Sequence, residues 1–303
     1  MGCLSGLQRV QEVMAGFQIF TDATADMSES MTFGWPAIQI LPMQVHISDR
    51  EYRYGPGGDI TVDEFYRLQR SGQFAVTSQA SPDTCMRLFE PHLREGKDIL
   101  YLGFSSALSG MYHSASLAAE ELRQQYPERR IICIDTLCAS VGEGFLLREA
   151  SARQAGGASL DELAHWVEDV RLKVCHWFTV DTFEHLKHGG RVSAASAVVG
   201  TMLQIKPMLH VDEEGRLAVM EKPRGQKRAM DAQLAKMQAG WMPELGKLVV
   251  IGHADCPESA ALLKSRVEEQ FPEADVHVAN IGPIIGAHTG PGMLALIYWG
   301  NNR

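Results

Sequence analysis

The sequence predicts an α/β protein of two domains, with a parallel sheet in the first domain. Two continuous apolar strands, at residues 98–102 and 131–135, each run into a Ser-rich turn and then a helix. Strands that alternate with helices in this way form βαβ units, whose parallel sheets are buried on both faces. A Gly-rich stretch at residues 156–157 then precedes a second series of strands and helices.

The first domain opens with strands at residues 17–20 and 38–40, the second of which continues as extended chain over 41–45. Thr61 and Glu64 have the spacing of a capping box and start a helix through about residue 68. Ser81 and Pro82 start another helix, because Ser is a favoured N-cap and Pro fits the first turn. Further helices follow at about 113–125 and near residue 145.

The second domain begins with a strand at 176–180 and a helix at 182–187, followed by a hairpin with strands at 209–211 and 217–220. A helix at 226–237 precedes strands at 248–251 and 276–278, which flank a helix at 259–270. A Gly/Pro-rich loop at 281–292 leads into a last strand at 294–299. We therefore expect an extension at 1–16, an N-terminal α/β domain at 17–172 and a smaller C-terminal α/β domain at 173–303.

Composition narrows the functional class. The 303 residues are 45% hydrophobic and 21% charged, which allows a sizeable core and an internal cavity. The net charge of -9 argues against nucleic-acid binding, which needs clustered Lys and Arg. The six cysteines show no C-x-x-C spacing, so no zinc ribbon is indicated. Without a secretion signal or a membrane-spanning apolar run, we expect a soluble cytoplasmic protein.

Two hydroxyl-rich turns precede helices and offer donors to an anion. The first holds Thr77 and Ser81, although the spacing alone favours simple N-capping by Ser81. The second holds Ser105, Ser106 and Ser109, which can alternatively just stabilise the turn. The second turn lacks a glycine that the G-x-S-x-G nucleophile elbow requires, and no Asp–His relay is evident nearby.

A Gly-Gly-Arg segment follows the helix at 182–187. Gly189 and Gly190 allow a close approach of the backbone to a ligand, and Arg191 has a guanidinium suited to phosphate or carboxylate. The alternative is a helix C-cap followed by a solvated Arg. His185 and His188 lie on one helical face, but no third metal ligand is indicated.

The segment 281–292 contains a single titratable residue, His288. Its imidazole can donate to a phosphate or move a proton near neutral pH, or it can be structural. The Rossmann and Walker A patterns are absent, so the chain shows no nucleotide site of its own. Hydroxyls, an Arg and a His without a nucleophile relay suit the holding of an oxyanion better than bond cleavage.

Five segments in order resemble motifs of the DegV family: residues 20–26, 77–79, 105–112, 180–193 and 281–292. Residues 205–207 and 222–227 are also similar, and the resemblance covers roughly residues 17–299. Three positions depart from it, since Ala23, Ala80 and Met111 stand where the family usually has Ser, Pro and Thr.

The resemblance implies a two-domain DegV-like fold with one long-chain fatty acid buried between the domains as the ligand, and no intrinsic cofactor or metal. In the bacterial fatty acid kinase system, a protein of this kind is the fatty-acid-binding subunit. A separate ATP-dependent kinase subunit then phosphorylates the bound carboxylate. The implied partners are thus a fatty acid and a kinase subunit, without nucleic acid or an integral membrane segment.

Residue roles follow by motif position. The resemblance implies that Arg191 and His288 assist phosphoryl transfer. It assigns the ligand site to Thr77, Ser109, Ser105, Ser106, Thr21, Asp22 and Gly286, with Thr77 and Ser109 on the carboxylate. Two rival functions stay open: a lipid transport or regulatory protein without a kinase, and an acyl hydrolase that uses a Ser within residues 105–109.

Overall fold

The computed structural model describes residues 16–192 and 205–303. Most of the expected N-terminal extension and Ser193 of the fourth motif lie outside these ranges. The described residues form three sheets, and the strands are numbered β1 to β13 along the chain.

Strands β1 to β7 form two sheets, which we call the N-terminal lobe. Four parallel strands have the order β2-β1-β6-β7, with bounds Phe17–Asp22 for β1, Gln39–Leu41 for β2, Asp98–Gly103 for β6 and Ile131–Asp135 for β7. A smaller antiparallel sheet has the order β4-β3-β5, with β3 at Met43–Ile47, β4 at Arg50–Tyr54 and β5 at Ala75–Ser78.

Strands β8 to β13 form one mixed sheet, the C-terminal lobe, in the order β10-β9-β8-β13-β11-β12. Their bounds are Val174–Thr179, Met208–Val211, Leu217–Glu221, Leu248–His253, Asp275–Asn280 and Leu294–Trp299. Only β11 and β12 pair in parallel. The expected α/β class with a parallel N-terminal sheet is confirmed, whereas the division near residue 172 stays a prediction.

The helices begin where the capping residues indicate. Thr61 accepts a hydrogen bond from the Glu64 amide at 3.1 Å, and Ser81 accepts one from Thr84 at 3.2 Å. The helices of the described residues are Glu29–Thr32, Val62–Arg70, Pro82–Arg94, Met111–Gln125, Val141–Ala155, Leu160–Val170, Glu184–His188, Gln226–Gly240, Pro257–Gln270 and Pro283–Thr289. No helix among them has the length and apolar character needed to cross a bilayer.

The prediction of a loop at 281–292 is wrong for the middle of this segment, which forms the helix Pro283–Thr289. Pro283 fits the first turn, and apolar residues follow it. Gly286 is accommodated because a Cβ there would lie 2.6 Å from the Tyr66 hydroxyl, so the missing side chain allows close helix packing. The helix Leu160–Val170 was not predicted, although Ser159 and Glu162 form a capping box before it.

One apolar core continues across the two lobes. The helix Val141–Ala155 packs on β8, β11 and β13, and its buried residues belong to the same cluster as those of both sheets. A second cluster covers the opposite face of the six-stranded sheet and contains Cys175 and Trp177. Because side chains alternate along a strand, the intervening His176 and Phe178 face the first core and the space between the lobes.

Asp26, in the segment that follows β1, joins the lobes. One carboxylate oxygen accepts from the Gly282 amide at 2.8 Å, and the other accepts from the Ser140 hydroxyl at 2.6 Å. Burial raises the pKa of Asp26 to about 7, although both hydrogen bonds act in the opposite direction. Near neutral pH this carboxyl is therefore partly protonated inside the fold.

This shift predicts a pH dependence of stability. Since the pKa rises from 3.8 to about 7 on folding, the folded chain keeps a proton that the unfolded chain releases in that range. The contribution of Asp26 is full below the unfolded pKa and is lost as the pH rises through 7, with a slope of up to about 1.4 kcal/mol per pH unit. Asp26→Asn mimics the protonated form and removes the titration.

Denaturant unfolding of both proteins across this pH range measures the effect. We expect the free energy of unfolding of the wild type, minus that of Asp26→Asn, to fall as the pH rises. Asp49→Asn, at an exposed carboxylate without an ion pair among the described residues, serves as the control and should give a difference that changes little. A pH-independent difference for Asp26→Asn contradicts the raised pKa.

Candidate functional site

A cavity lies between the two lobes and encloses about 710 Å³ of empty space, including its part open to solvent. Its walls are mostly apolar side chains from both lobes. They include Met43, Phe104, Leu108, Phe178, Val211, Ile284, Met293 and Ile297. An apolar cavity with few polar groups is the usual form of a small-molecule site.

Four polar side chains that the sequence indicated lie together on this cavity: Thr77, Ser109, Arg191 and His288. Thr77 Oγ1 and His288 Nε2 are 2.9 Å apart and form a hydrogen bond between the lobes. The Arg191 Nε donates to the carbonyl of Leu108, next to Ser109, at 3.3 Å. We call this group the polar end of the cavity.

His288 is held neutral. Burial lowers its pKa to about 4, and the nearby charge of Arg191 acts in the same direction. Its Nδ1 is buried without a hydrogen-bond partner among the described residues. We assign the proton to Nε2, because a buried N–H without an acceptor is costly and the Arg191 cation favours a bare nitrogen. The imidazole then donates to Thr77.

Gly189 makes this arrangement possible. A Cβ at position 189 would lie 2.1 Å from His288 Nδ1, so only glycine lets the turn pack directly on the ring. Gly190 follows with a φ of +69°, which reverses the chain and brings Arg191 to the cavity. Gly189 thus positions the His288 ring, and Gly190 positions Arg191, at the polar end of the cavity.

The two hydroxyls of the polar end keep their protons for a ligand. Thr77 Oγ1 accepts from His288, and Ser109 Oγ accepts from the Met111 amide at 3.2 Å. Neither hydroxyl has a protein acceptor within the described ranges. A hydroxyl that accepts from the protein still has one hydrogen to donate. The site therefore offers two O–H donors to an oxyanion in the cavity.

Arg191 adds positive charge at the same place. Its guanidinium donates to the carbonyls of Leu108 and Gly189, and residues 16–192 and 205–303 supply no carboxylate within ion-pair distance. Partial burial lowers its pKa, but a guanidinium remains charged at neutral pH. An anion held by the hydroxyls would thus meet a cation.

The other predicted ligand residues do not line this cavity. Thr21 is fully buried and donates to Glu143 at 2.8 Å, while Asp22 accepts from the Tyr101 hydroxyl at 2.7 Å. Ser105 donates to the carbonyl of Gly215 at 2.8 Å. These groups stabilise the loops around the site, and their hydrogen bonds leave them facing the protein.

Ser106 and Gly286 also lie elsewhere. Ser106 is exposed in a surface cleft beside Gly190 and Arg191, and its amide donates to Asp135 at 3.2 Å. Gly286 faces Tyr66, and its carbonyl accepts from Gln69 at 2.9 Å. Ser106 therefore borders the outside of the polar end, whereas Gly286 serves helix packing.

Sequence reasoning missed four polar residues on the cavity wall: Thr24, Ser140, His176 and Thr289, whose hydroxyl donates to the Ile285 carbonyl at 3.1 Å. Ser140 donates to Asp26, and His176 is bonded to backbone groups on both ring nitrogens. Thr24 lies 2.5 Å from Asp22 and 2.8 Å from Glu143. Alternation along β8 was the available signal for His176, while Ser140, at φ 54°, lies in a turn without a sequence signature.

Two buried carboxyls, those of Asp22 and Glu143, lie behind Thr24 and share its hydroxyl as a hydrogen-bond partner. Burial raises the pKa of Glu143 well above its usual value, and the Asp22 charge adds to this. The Thr24 hydroxyl lies within hydrogen-bond distance of both carboxyls but has one hydrogen, so one of the two carboxyls must carry a proton and donate it to Thr24. This part of the wall therefore presents no group that needs a ligand.

The possible metal pair is not formed. His185 and His188 pack their rings on Phe74, with centroids 4.9 and 4.8 Å away. Across the described ranges, no group of three His, Cys, Asp or Glu side chains is arranged to hold a metal ion. These two histidines of the C-terminal lobe thus make an aromatic contact with Phe74 of the N-terminal lobe.

Comparison with known proteins agrees with this architecture. The DegV family, described as uncharacterised proteins, matches residues 16–301. A DegV domain-containing protein of Clostridium perfringens is 38% identical over 290 residues, 96% of this chain and 99% of the relative.

Solved structures share the fold. A Thermus thermophilus DegV protein, described for its fatty acid binding, has a TM-score of 0.83 and 30% identity over 94% of this chain and 99% of its own. The Streptococcus pneumoniae fatty acid kinase B3 protein, loaded with linoleic acid, has a TM-score of 0.83 and 22% identity over 94% and 99%. The expected resemblance is thereby confirmed, and the chain belongs to the DegV family.

Proposed function

We propose that this protein binds a long-chain fatty acid in the cavity, with the carboxylate at Thr77 and Ser109. One observation carries the proposal: an apolar cavity ends at two hydroxyls whose protons have no protein acceptor in the described residues. The fatty acid binding of the 30% identical Thermus thermophilus protein supports it.

The energetics favour this ligand. Each buried methylene contributes about 0.8 kcal/mol, so a long acyl chain supplies a large gross gain against the cost of ordering the complex. A carboxylate buried without partners would cost several kcal/mol. The hydroxyl donors and the Arg191 cation offset that cost, because hydrogen bonds to a charged group are the strong ones.

Removal of either hydroxyl should weaken binding. Thr77→Val keeps the shape of the side chain, and Ser109→Ala removes only the oxygen. A hydrogen bond to a charged group is worth roughly 1.5–3 kcal/mol, so we expect each variant to raise the Kd roughly tenfold to a hundredfold. Titration of delipidated protein with a fatty acid measures the change. Ser106→Ala, which removes a hydroxyl outside the cavity, should leave the Kd unchanged.

Unchanged affinity in both Thr77→Val and Ser109→Ala would place the carboxylate elsewhere. Mass spectrometry of lipid extracted from the purified wild type checks the ligand class independently, and we expect long-chain fatty acids.

We further propose that the bound carboxylate is presented to a separate ATP-dependent kinase subunit. The polar end borders the surface cleft formed by residues 106–110 and 190–192, where a partner can reach it. The kinase would supply ATP and Mg²⁺, while Arg191 stabilises charge on the transferred phosphoryl group. Neutral His288 orients the Thr77 hydroxyl by its hydrogen bond, and Thr77 in turn holds the carboxylate oxygen that accepts the phosphoryl group. The shared fold with the pneumococcal kinase protein supports this role.

Arg191 should matter more for transfer than for binding. We expect Arg191→Ala to bind fatty acid more weakly but still to saturation, and at saturating fatty acid to lower acyl-phosphate formation by at least about tenfold with a cognate kinase, because the loss of one positioned cation destabilises the transition state. Arg191→Lys should recover only part of the acyl-phosphate formation, since lysine lacks the planar guanidinium with its several donors. Arg87→Ala, an exposed Arg paired with Asp83, is the matched control. Full activity of Arg191→Ala in this assay would remove its role.

The hydrolase alternative finds little support. Ser105 is bonded to a carbonyl and Ser109 to an amide, and neither is bonded to a His within the described ranges. A serine nucleophile needs an adjacent base. A transport or regulatory protein without a kinase would bind fatty acid in the same way. It is distinguished from our proposal only by the absence of acyl-phosphate formation in the transfer assay.

A further inference from the structure

We infer that His176 closes the end of the cavity opposite the carboxylate and sets the longest acyl chain that fits. This inference rests on the proposed function. It begins with the position of His176 on β8, where the side chain lines the cavity and is 2% exposed.

Strand register shows which end His176 occupies. The chain leaves His288 and enters β13 at Leu294, which pairs with Thr179. His176 pairs with Ile297, three residues further along β13. At about 3.4 Å per residue, this pair lies roughly 10 Å deeper than the start of the strand. Among the residues of β8 and β13 that line the cavity, His176 and Ile297 therefore lie furthest along the strands from the segment that carries His288.

The imidazole is suited to end an apolar tunnel because its polar atoms are already satisfied. Its Nδ1 lies 2.9 Å from the carbonyl of Val174 and donates to it, and its Nε2 accepts from the Ala139 amide at 3.3 Å. A ring bonded in this way is neutral. Because both nitrogens are bonded to the backbone, only ring carbons are left for the cavity, so a terminal methyl group meets no unpaired polar atom.

The ring is also fixed from behind. A Cβ at Gly142 would lie 2.0 Å from His176 Nε2, so the first turn of the helix Val141–Ala155 packs directly on the imidazole. With backbone on two sides, the ring cannot swing aside for a longer chain. A rigid wall of this kind limits chain length, whereas a flexible side chain would adapt.

Two substitutions of opposite size test the assignment. His176→Asn shortens the side chain and keeps a donor near the Val174 carbonyl, while His176→Phe enlarges it. The probes are saturated fatty acids of increasing length, titrated into delipidated protein. Each methylene that is buried improves the Kd about fourfold, so affinity should rise with length and fall once the chain reaches the wall.

We expect the optimum to move to longer acids in His176→Asn and to shorter acids in His176→Phe. The ratio of Kd values for two acids that differ by two carbons should change by about tenfold, in opposite directions. General loss of stability would weaken all acids alike and would not move this ratio. The matched control is His210→Asn, because His210 stacks on Trp177 with ring centroids 5.0 Å apart and does not line the cavity.

An unchanged ratio in either variant that still binds fatty acid overturns the inference. If one variant does not fold, the direction in which the optimal chain length moves in the other variant decides whether the inference holds. Failure of the proposed function looks different, because the wild type would then bind no acid of any length.

Discussion

The hydrogen bond between Thr77 and His288 joins the two lobes at the place where a charged head group would be buried. A neutral imidazole that donates to a hydroxyl leaves the hydroxyl hydrogen pointing away from the ring. The cavity thereby gains a donor without an added formal charge. Most of the polar end depends on this contact. Gly189 lets its turn pack against the His288 ring, and Gly190 then directs Arg191 to the cavity.

Charge is distributed unevenly along the cavity. Arg191 carries a full positive charge at the polar end, whereas burial keeps His176 on the remaining wall neutral and raises the pKa of Glu143 behind that wall. A ligand with one negative end and a long apolar body matches this distribution in only one orientation. Low polarity along the body also strengthens the interactions at the head, because water does not screen them.

Local patterns predicted much of the architecture. Caps at Thr61 and Ser81 and the apolar strands identified the elements well, because those signals depend on neighbouring residues. Thr77, Ser109, Arg191 and His288 were found through family motifs, and the structure places them together on one cavity. Ser105 and Gly286 belong to the same motifs but serve packing, a distinction that only distant partners such as Gly215 and Tyr66 reveal.

Strand β13 is the last strand along the chain and yet lies in the middle of its sheet, between β8 and β11. Before β13 is in place, β8 and β11 each have an unpaired edge, and the cavity lacks the wall formed by Ala295 and Ile297. Until β13 pairs with both neighbours, the folding chain therefore has two open sheet edges and no enclosed cavity. Such edges favour aggregation, so one docking event both protects the two edges and closes the cavity.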